Sequence, residues 1–135
     1  MKRLENKYFI SLQSFYALKN IFNKILVLDN NCKNDKGYNV RTLYFDNFSN
    51  DELEKKINED FFRSKLRLRV YNNNFSKIFL EVKDKENFLS IKNKISLNQK
   101  EAENFIKSKS RYQKYDNGLI NEIIQKKNNN FLVPK

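Results

Sequence analysis

Between Lys65 and Tyr71 the chain alternates without a break, Lys-Leu-Arg-Leu-Arg-Val-Tyr. A period of two is the geometry of an extended strand, whose successive side chains leave opposite faces. Lys65, Arg67, Arg69 and Tyr71 therefore share one side and Leu66, Leu68 and Val70 the other. Asn72-Asn73-Asn74 reads as a turn, after which Lys77 to Lys83 alternates again, with Ile78, Leu80 and Val82 opposed to Lys77, Phe79, Glu81 and Lys83. A third run, Phe88 to Ile95, follows the charged turn Asp84-Lys85-Glu86-Asn87 and sets Leu89, Ile91 and Asn93 against Ser90, Lys92 and Lys94. Three successive strands of one design predict an antiparallel sheet with one aliphatic and one basic face.

The remaining segments supply what such a sheet needs around it. Leu4 to Ser11 alternates imperfectly and reads as a first strand, with Glu5, Lys7 and Phe9 on one side. Ser11 is placed to cap a helix in which Leu12, Phe15, Leu18, Phe22, Ile25 and Leu26 recur at helical spacing, a face expected to cover a core. Tyr38 to Phe45 is rich in β-branched and aromatic residues and reads as a strand. Ser49 offers a cap for a short helix over residues 51–57, with acids first and lysines last, as the helix dipole favours. Ser96 offers one for a helix from Leu97 to Lys107, and Leu119 to Lys127 forms another. Phe131 to Lys135 looks like the approach to a further strand that is not completed. The expectation is one α+β domain over residues 1–135, an antiparallel sheet braced by flanking helices, with 39% hydrophobic residues to build its core.

Lys and Arg number 27 against 16 Asp and Glu, a net charge of +11 that attracts polyanions. Histidine is absent, which removes Ser-His-Asp catalysis and the commonest transition-metal ligand, and leaves carboxylates, lysines, arginines or a hard metal. Cys32 is alone, so no intramolecular disulfide forms, and no apolar run is long enough to span a bilayer; the chain reads as soluble and cytoplasmic. A basic strand face is by default a solvated one. Across three strands, however, like charges repel unless an anion or facing carboxylates compensate. Arginine adds a planar fork that engages two phosphate oxygens at once. On this reading Arg67→Ala with Arg69→Ala removes phosphate binding and leaves the fold intact or stabilised. Glu5 and Glu81 are either ion-pair partners of these cations or ligands of magnesium or manganese, since Glu5-Asn6-Lys7 and Glu81-Val82-Lys83 each put Glu and Lys on one strand face.

In order along the chain, Arg3-Leu4-Glu5-Asn6-Lys7-Tyr8, Arg41-Thr42-Leu43-Tyr44-Phe45-Asp46, Lys65 to Tyr71, Leu80-Glu81-Val82-Lys83 and Ser90-Ile91-Lys92 resemble the VTC domain. That family is the polyphosphate polymerase branch of the triphosphate tunnel metalloenzymes. The resemblance implies a β tunnel binding ATP and polyphosphate, with transfer of the terminal phosphate of ATP to the polymer and a divalent metal, manganese or magnesium, as cofactor. It implies that Lys7, Arg67, Arg69, Lys83 and Lys92 line the tunnel as catalytic and substrate-binding groups, joined in binding by Lys94 and Arg41, with Glu5 and Glu81 as metal candidates. Tyr44, Phe45 and Asp46 would set the strand and its turn rather than touch substrate. The family's domain continues past the point matching Pro134-Lys135, so the resemblance implies an N-terminal portion of a tunnel, completed by a further segment or a partner chain.

Three other functions compete. A non-catalytic module would use the same face to dock polyphosphate or inositol phosphates, and a related tunnel hydrolase would cleave triphosphates. Nucleic-acid binding draws on the charge and on Tyr71, Phe75 and Phe79, but no recognised nucleic-acid motif accompanies them, so no specific nucleic-acid partner is expected.

Overall fold

The structure is a computed structural model that describes residues 2–4, 6–32, 37–107 and 118–135, without the side chains of Lys2 and Arg3. The alternating runs do form strands: β3 is Phe62–Tyr71, β4 is Ile78–Glu86 and β5 is Leu89–Leu97, preceded by β1 at Lys2–Leu4 and β2 at Val40–Asp46 and followed by β6 at Val133–Pro134. They make one open antiparallel sheet in the order β1-β5-β4-β3-β2-β6. The β3–β4 and β4–β5 connections use Asn72, Asn73 and Asn87 with φ of 52, 56 and 55°, a left-handed conformation that asparagine adopts more readily than most residues.

Register decides the faces. Leu43 pairs with Leu68, Leu68 with Leu80 and Leu80 with Ile95, so the aliphatic positions of four strands stack on one side. Helices α3 (Gln99–Lys107) and α4 (Gly118–Asn129) cover that side through Ala102, Phe105, Ile120, Ile123 and Ile124, all buried with Phe45, Leu66, Leu68, Leu80 and Val82. Phe45 meets Phe105 edge to face at 5.3 Å. Lys127 of α4 is buried too: its Nζ donates to the carbonyls of Phe105 and Ile106 at the end of α3 and lies over the Phe45 and Phe105 rings. A cation at a helix C-terminus meets the negative end of its dipole, while burial lowers the lysine's pKa below its usual value.

Several local expectations change. The described part of the first strand is Lys2–Leu4, with Leu4 paired to Leu89; Asn6 to Ile10, expected in that strand, are exposed and irregular. Helix α1 (Leu12–Ile25) is capped by Ser11, whose Oγ accepts from Ser14 N at 3.1 Å, but it buries no residue and so covers no core among the described residues. Helix α2 (Asp51–Ile57) is capped not by Ser49 but by Asp46, whose oxygens accept from Glu52 N and Leu53 N at 3.2 and 3.0 Å, and by Asn47, which accepts from Asp51 N. Ser96 stays in β5, and Asn98 caps α3 in a reciprocal box with Glu101, at 2.9 and 2.8 Å. The closing residues do complete a strand, β6, in which Pro134 faces Phe45 and Val133 faces Asp46. No helix among the described residues is long and apolar enough to cross a membrane.

Candidate functional site

The face away from α3 and α4 carries Thr42 and Tyr44 from β2, Lys65, Arg67, Arg69 and Tyr71 from β3, Phe79, Glu81 and Lys83 from β4, and Lys92 and Lys94 from β5. Its centre is a carboxylate. Glu81 pairs across the ladder with Arg67 on one side and Lys94 on the other, and it has no exposed surface. Arg67 donates Nε to Oε2 at 2.9 Å and holds Nη2 2.8 Å from the same oxygen. Arg69 Nη1 stands 3.7 Å from Oε2, and Lys92 Nζ 2.8 Å from Oε1. The Lys92 approach is a charge contact rather than a directed hydrogen bond, so Oε1 accepts no hydrogen bond from the described residues. Burial alone would raise the pKa of Glu81; Lys92 and Arg67 outweigh it and hold the carboxyl below its usual range. Glu81 is thus an anion in the folded protein, with three cations fixed around it.

Tyr44 extends this cluster. Its hydroxyl accepts from Arg67 Nη1 at 3.4 Å and its ring lies 6.0 Å from the guanidinium carbon, while Arg69 Nε reaches Thr42 Oγ1 at 3.4 Å. Burial raises the phenol's pKa, but Arg67 and its basic neighbours lower it further, for a net decrease. The expectation that Tyr44 only shapes its strand missed this. The signal was present in the parity of β2, which sets Thr42 and Tyr44 against Leu43 and Phe45. Beyond Tyr44, a cavity of about 260 Å³ opens between β2, β3 and α2, lined by Leu53, Lys56, Lys65 and Lys135 among others. The pKa of Lys65 is lowered by burial first and by Lys56 next.

Arg67, Arg69 and Lys92 are therefore brought together. Lys83 shares their face, half-buried between Lys65 and Lys92 in the register. Lys94 shares it as well, but its ammonium lies 3.6 Å from the centre of the Phe79 ring. Arg41 lies on the other face: it pairs with Val70 and lines a surface depression beside Gln99 and Glu103 of α3, because the β2–β3 register puts it in step with the aliphatic positions. Lys7 sits in the exposed, irregular segment before α1 rather than in a strand. Glu5 lies outside the described residues.

Glu81 is the acid at the centre of this face; Asp46, at the end of β2, shares the parity of Tyr44 but is committed to capping α2, and Asp84 points to the opposite side, where it takes hydrogen bonds from Ser64 and Lys126. Magnesium takes six oxygen ligands and manganese a similar oxygen-rich set. Glu81 has one oxygen shared by two arginines and the other facing a lysine, and no group of three potential ligands occurs among the described residues. The arrangement does not fit a resident metal on Glu81; it fits a carboxylate that orients cations.

A family model of the VTC domain matches residues 2–135. No curated protein matches the chain.

Proposed function

The chain belongs to the VTC domain family, and from that premise we propose that its basic sheet face binds the linked phosphates of ATP and polyphosphate and supports transfer of a phosphoryl group between them. The family groups with the polyphosphate polymerases of the triphosphate tunnel superfamily. The observation that carries the proposal is the Glu81 cluster: an inaccessible carboxylate holding Arg67, Arg69 and Lys92 side by side on one face. Phosphoryl transfer asks for alignment of donor and acceptor and for fixed positive charge around the moving phosphate's oxygens. Glu81 fixes the cations before substrate arrives, so less reorganisation remains for the reacting state.

In that reading Arg67 and Arg69 grip donor phosphates through their unshared N–H groups, and Lys83 and Lys92 hold the neighbouring ones. An oxygen at the end of the polymer attacks the terminal phosphorus of ATP, the bond to the bridging oxygen breaks, and ADP leaves with that oxygen. Manganese or magnesium would be carried by the phosphate oxygens of the substrate, since no group of potential ligands among the described residues cages it. The cytoplasm, which supplies ATP, is the compartment we assign to the reaction.

A second reading is favoured by the commitment of Glu81 to its cations: a face that binds phosphate chains without turning them over. Incubation with ATP, manganese and a short polyphosphate primer separates the two. Longer polymer supports transfer, free phosphate points to hydrolysis, and tripolyphosphate binding without turnover leaves the binding module. Failure of the chain to bind tripolyphosphate at moderate salt overturns both.

A further inference from the structure

The basic face is not uniform along its strands. Read across the register, its first row is Lys65, Lys83 and Lys92, the next is Tyr44, Arg67, Glu81 and Lys94, and the next is Thr42, Arg69, Phe79 and Ser96. Tyr71 stands one row further along β3. Charge therefore gives way to aromatic rings at one end. Phe79 and Tyr71 meet edge to face at 5.7 Å, and Tyr38 continues the ladder at 5.5 Å from Tyr71. These rings lie on the polar side of the sheet, whereas Phe45 turns inward to the core. Phe79 and Tyr71 are only half-buried; Lys94 Nζ rests 3.6 Å from the centre of the Phe79 ring, so a base that stacks on that face displaces the ammonium.

A row of cations that ends in half-exposed rings matches a ligand with an anionic chain and a flat aromatic end. We infer that the nucleoside of a bound nucleotide seats against Phe79 and Tyr71, so that it lies along the face with its first phosphate at Arg69 and its terminal phosphate toward Lys83 and Lys92. This rests on the phosphate-binding reading above and adds the substrate's direction and the residues that distinguish a nucleotide from bare polyphosphate. Arg69 and Phe79 are cross-strand partners, so a phosphate on the arginine puts the attached ribose beside the ring. Six residue steps of β3 separate Tyr71 from Lys65, whose row holds Lys83 and Lys92, about 20 Å of strand, a span that an extended nucleoside triphosphate covers with the reach of the lysine side chains. Stacking on an aromatic face tolerates any base, which makes the site a reader of nucleosides in general. The cavity at the opposite end, where Tyr44, Phe45 and Leu53 stand beside Asp46, Glu52 and the lysines, is the competing seat for a base, and the Leu53 variant below tests it.

The test is calorimetric titration of the whole chain with ATP and, separately, with tripolyphosphate. Phe79→Leu and Tyr71→Leu are each expected to weaken ATP by about tenfold, the effect of losing one stacking ring, and to leave tripolyphosphate no weaker. Phe79→Tyr keeps a ring and should keep ATP affinity, which separates stacking from general damage to the sheet. Leu53→Ala, at the opposite cavity, should change neither ligand. Equal losses for both ligands, no loss for either, or an ATP-selective loss in Leu53→Ala instead would overturn the inference. Tripolyphosphate binding by the unaltered chain without any ATP binding would overturn this inference and transfer from ATP while leaving the phosphate-binding face standing, whereas failure to bind tripolyphosphate would overturn the reading beneath it.

Discussion

Arg67 closes on Glu81 through two nitrogens, Nε at 2.9 Å and Nη2 at 2.8 Å, both directed at the same carboxylate oxygen. The pair is a cross-strand neighbour pair of β3 and β4, so the sheet itself sets its geometry. Only 12% of the Arg67 side chain and none of the Glu81 side chain meets solvent. Arg69 and Lys92 share the same carboxylate from flanking positions. The fold and the basic face thus depend on one another through one residue.

Glu81→Gln should therefore destabilise the protein, because it strands three cations around a neutral group. Removing one partner of a fully buried ion pair costs about 3–5 kcal/mol, and the partial exposure of the three cations puts the expected loss at the low end, roughly 3 kcal/mol. Urea unfolding measures it. Added tripolyphosphate should recover more stability in the variant than in the parent chain, since the anion replaces the missing charge.

The lowered pKa of Glu81 fixes the sign of a pH effect. Its unfolded pKa is about 4.3. The stabilisation from its charge is fully present above that value and is lost as pH falls through the lower folded value, because the unfolded chain takes up the proton first. The stability gap between the parent chain and Glu81→Gln should be flat between neutral pH and about pH 5 and should close below about pH 4. Thermal melts across that range check it; a gap that closes near neutral pH would contradict the assignment.

Arg67→Ala combined with Arg69→Ala should abolish tripolyphosphate binding and also destabilise the fold. A fold left intact or stabilised was the expectation; the buried Glu81 reverses that, because losing both leaves its Oε2 without a partner among the described residues. Adding Glu81→Leu to the pair should restore most of the stability and none of the binding, since an apolar group in place of a buried ion costs little. Denaturation and calorimetry on the three proteins complete the cycle.

Lys65→Ala offers the opposite combination. Lys65 makes no ion pair with an acid among the described residues, and burial and Lys56 both disfavour its charge. The substitution should leave stability unchanged within about 0.5 kcal/mol, or raise it. One lost charge-assisted contact should weaken tripolyphosphate by about tenfold. Equal affinity in the variant would remove Lys65 from the binding face.

The sequence alone determined what depends on local period. Alternation in β3, β4 and β5 fixed which residues share a face, and the helical spacing in α3 and α4 fixed which of their sides is apolar. It also held the family's motifs, which are short runs along single strands. Tertiary structure decided everything that depends on which strand lies beside which. Glu81 meets Arg67 across 14 residues of sequence and Lys92 from a third strand, so its contacts with these cations exist only once the register is set. Arg41 fell on the aliphatic side for the same reason: alternation within β2 gives two faces but not which of them aligns with Arg67. Helix α1 shows the limit from the other direction, since a 3.6-residue period makes a helix amphipathic without supplying a surface to cover it. Lys127 shows it again, a lysine drawn into the interior by the carbonyls at the end of a neighbouring helix, partners that lie about twenty residues away in the chain.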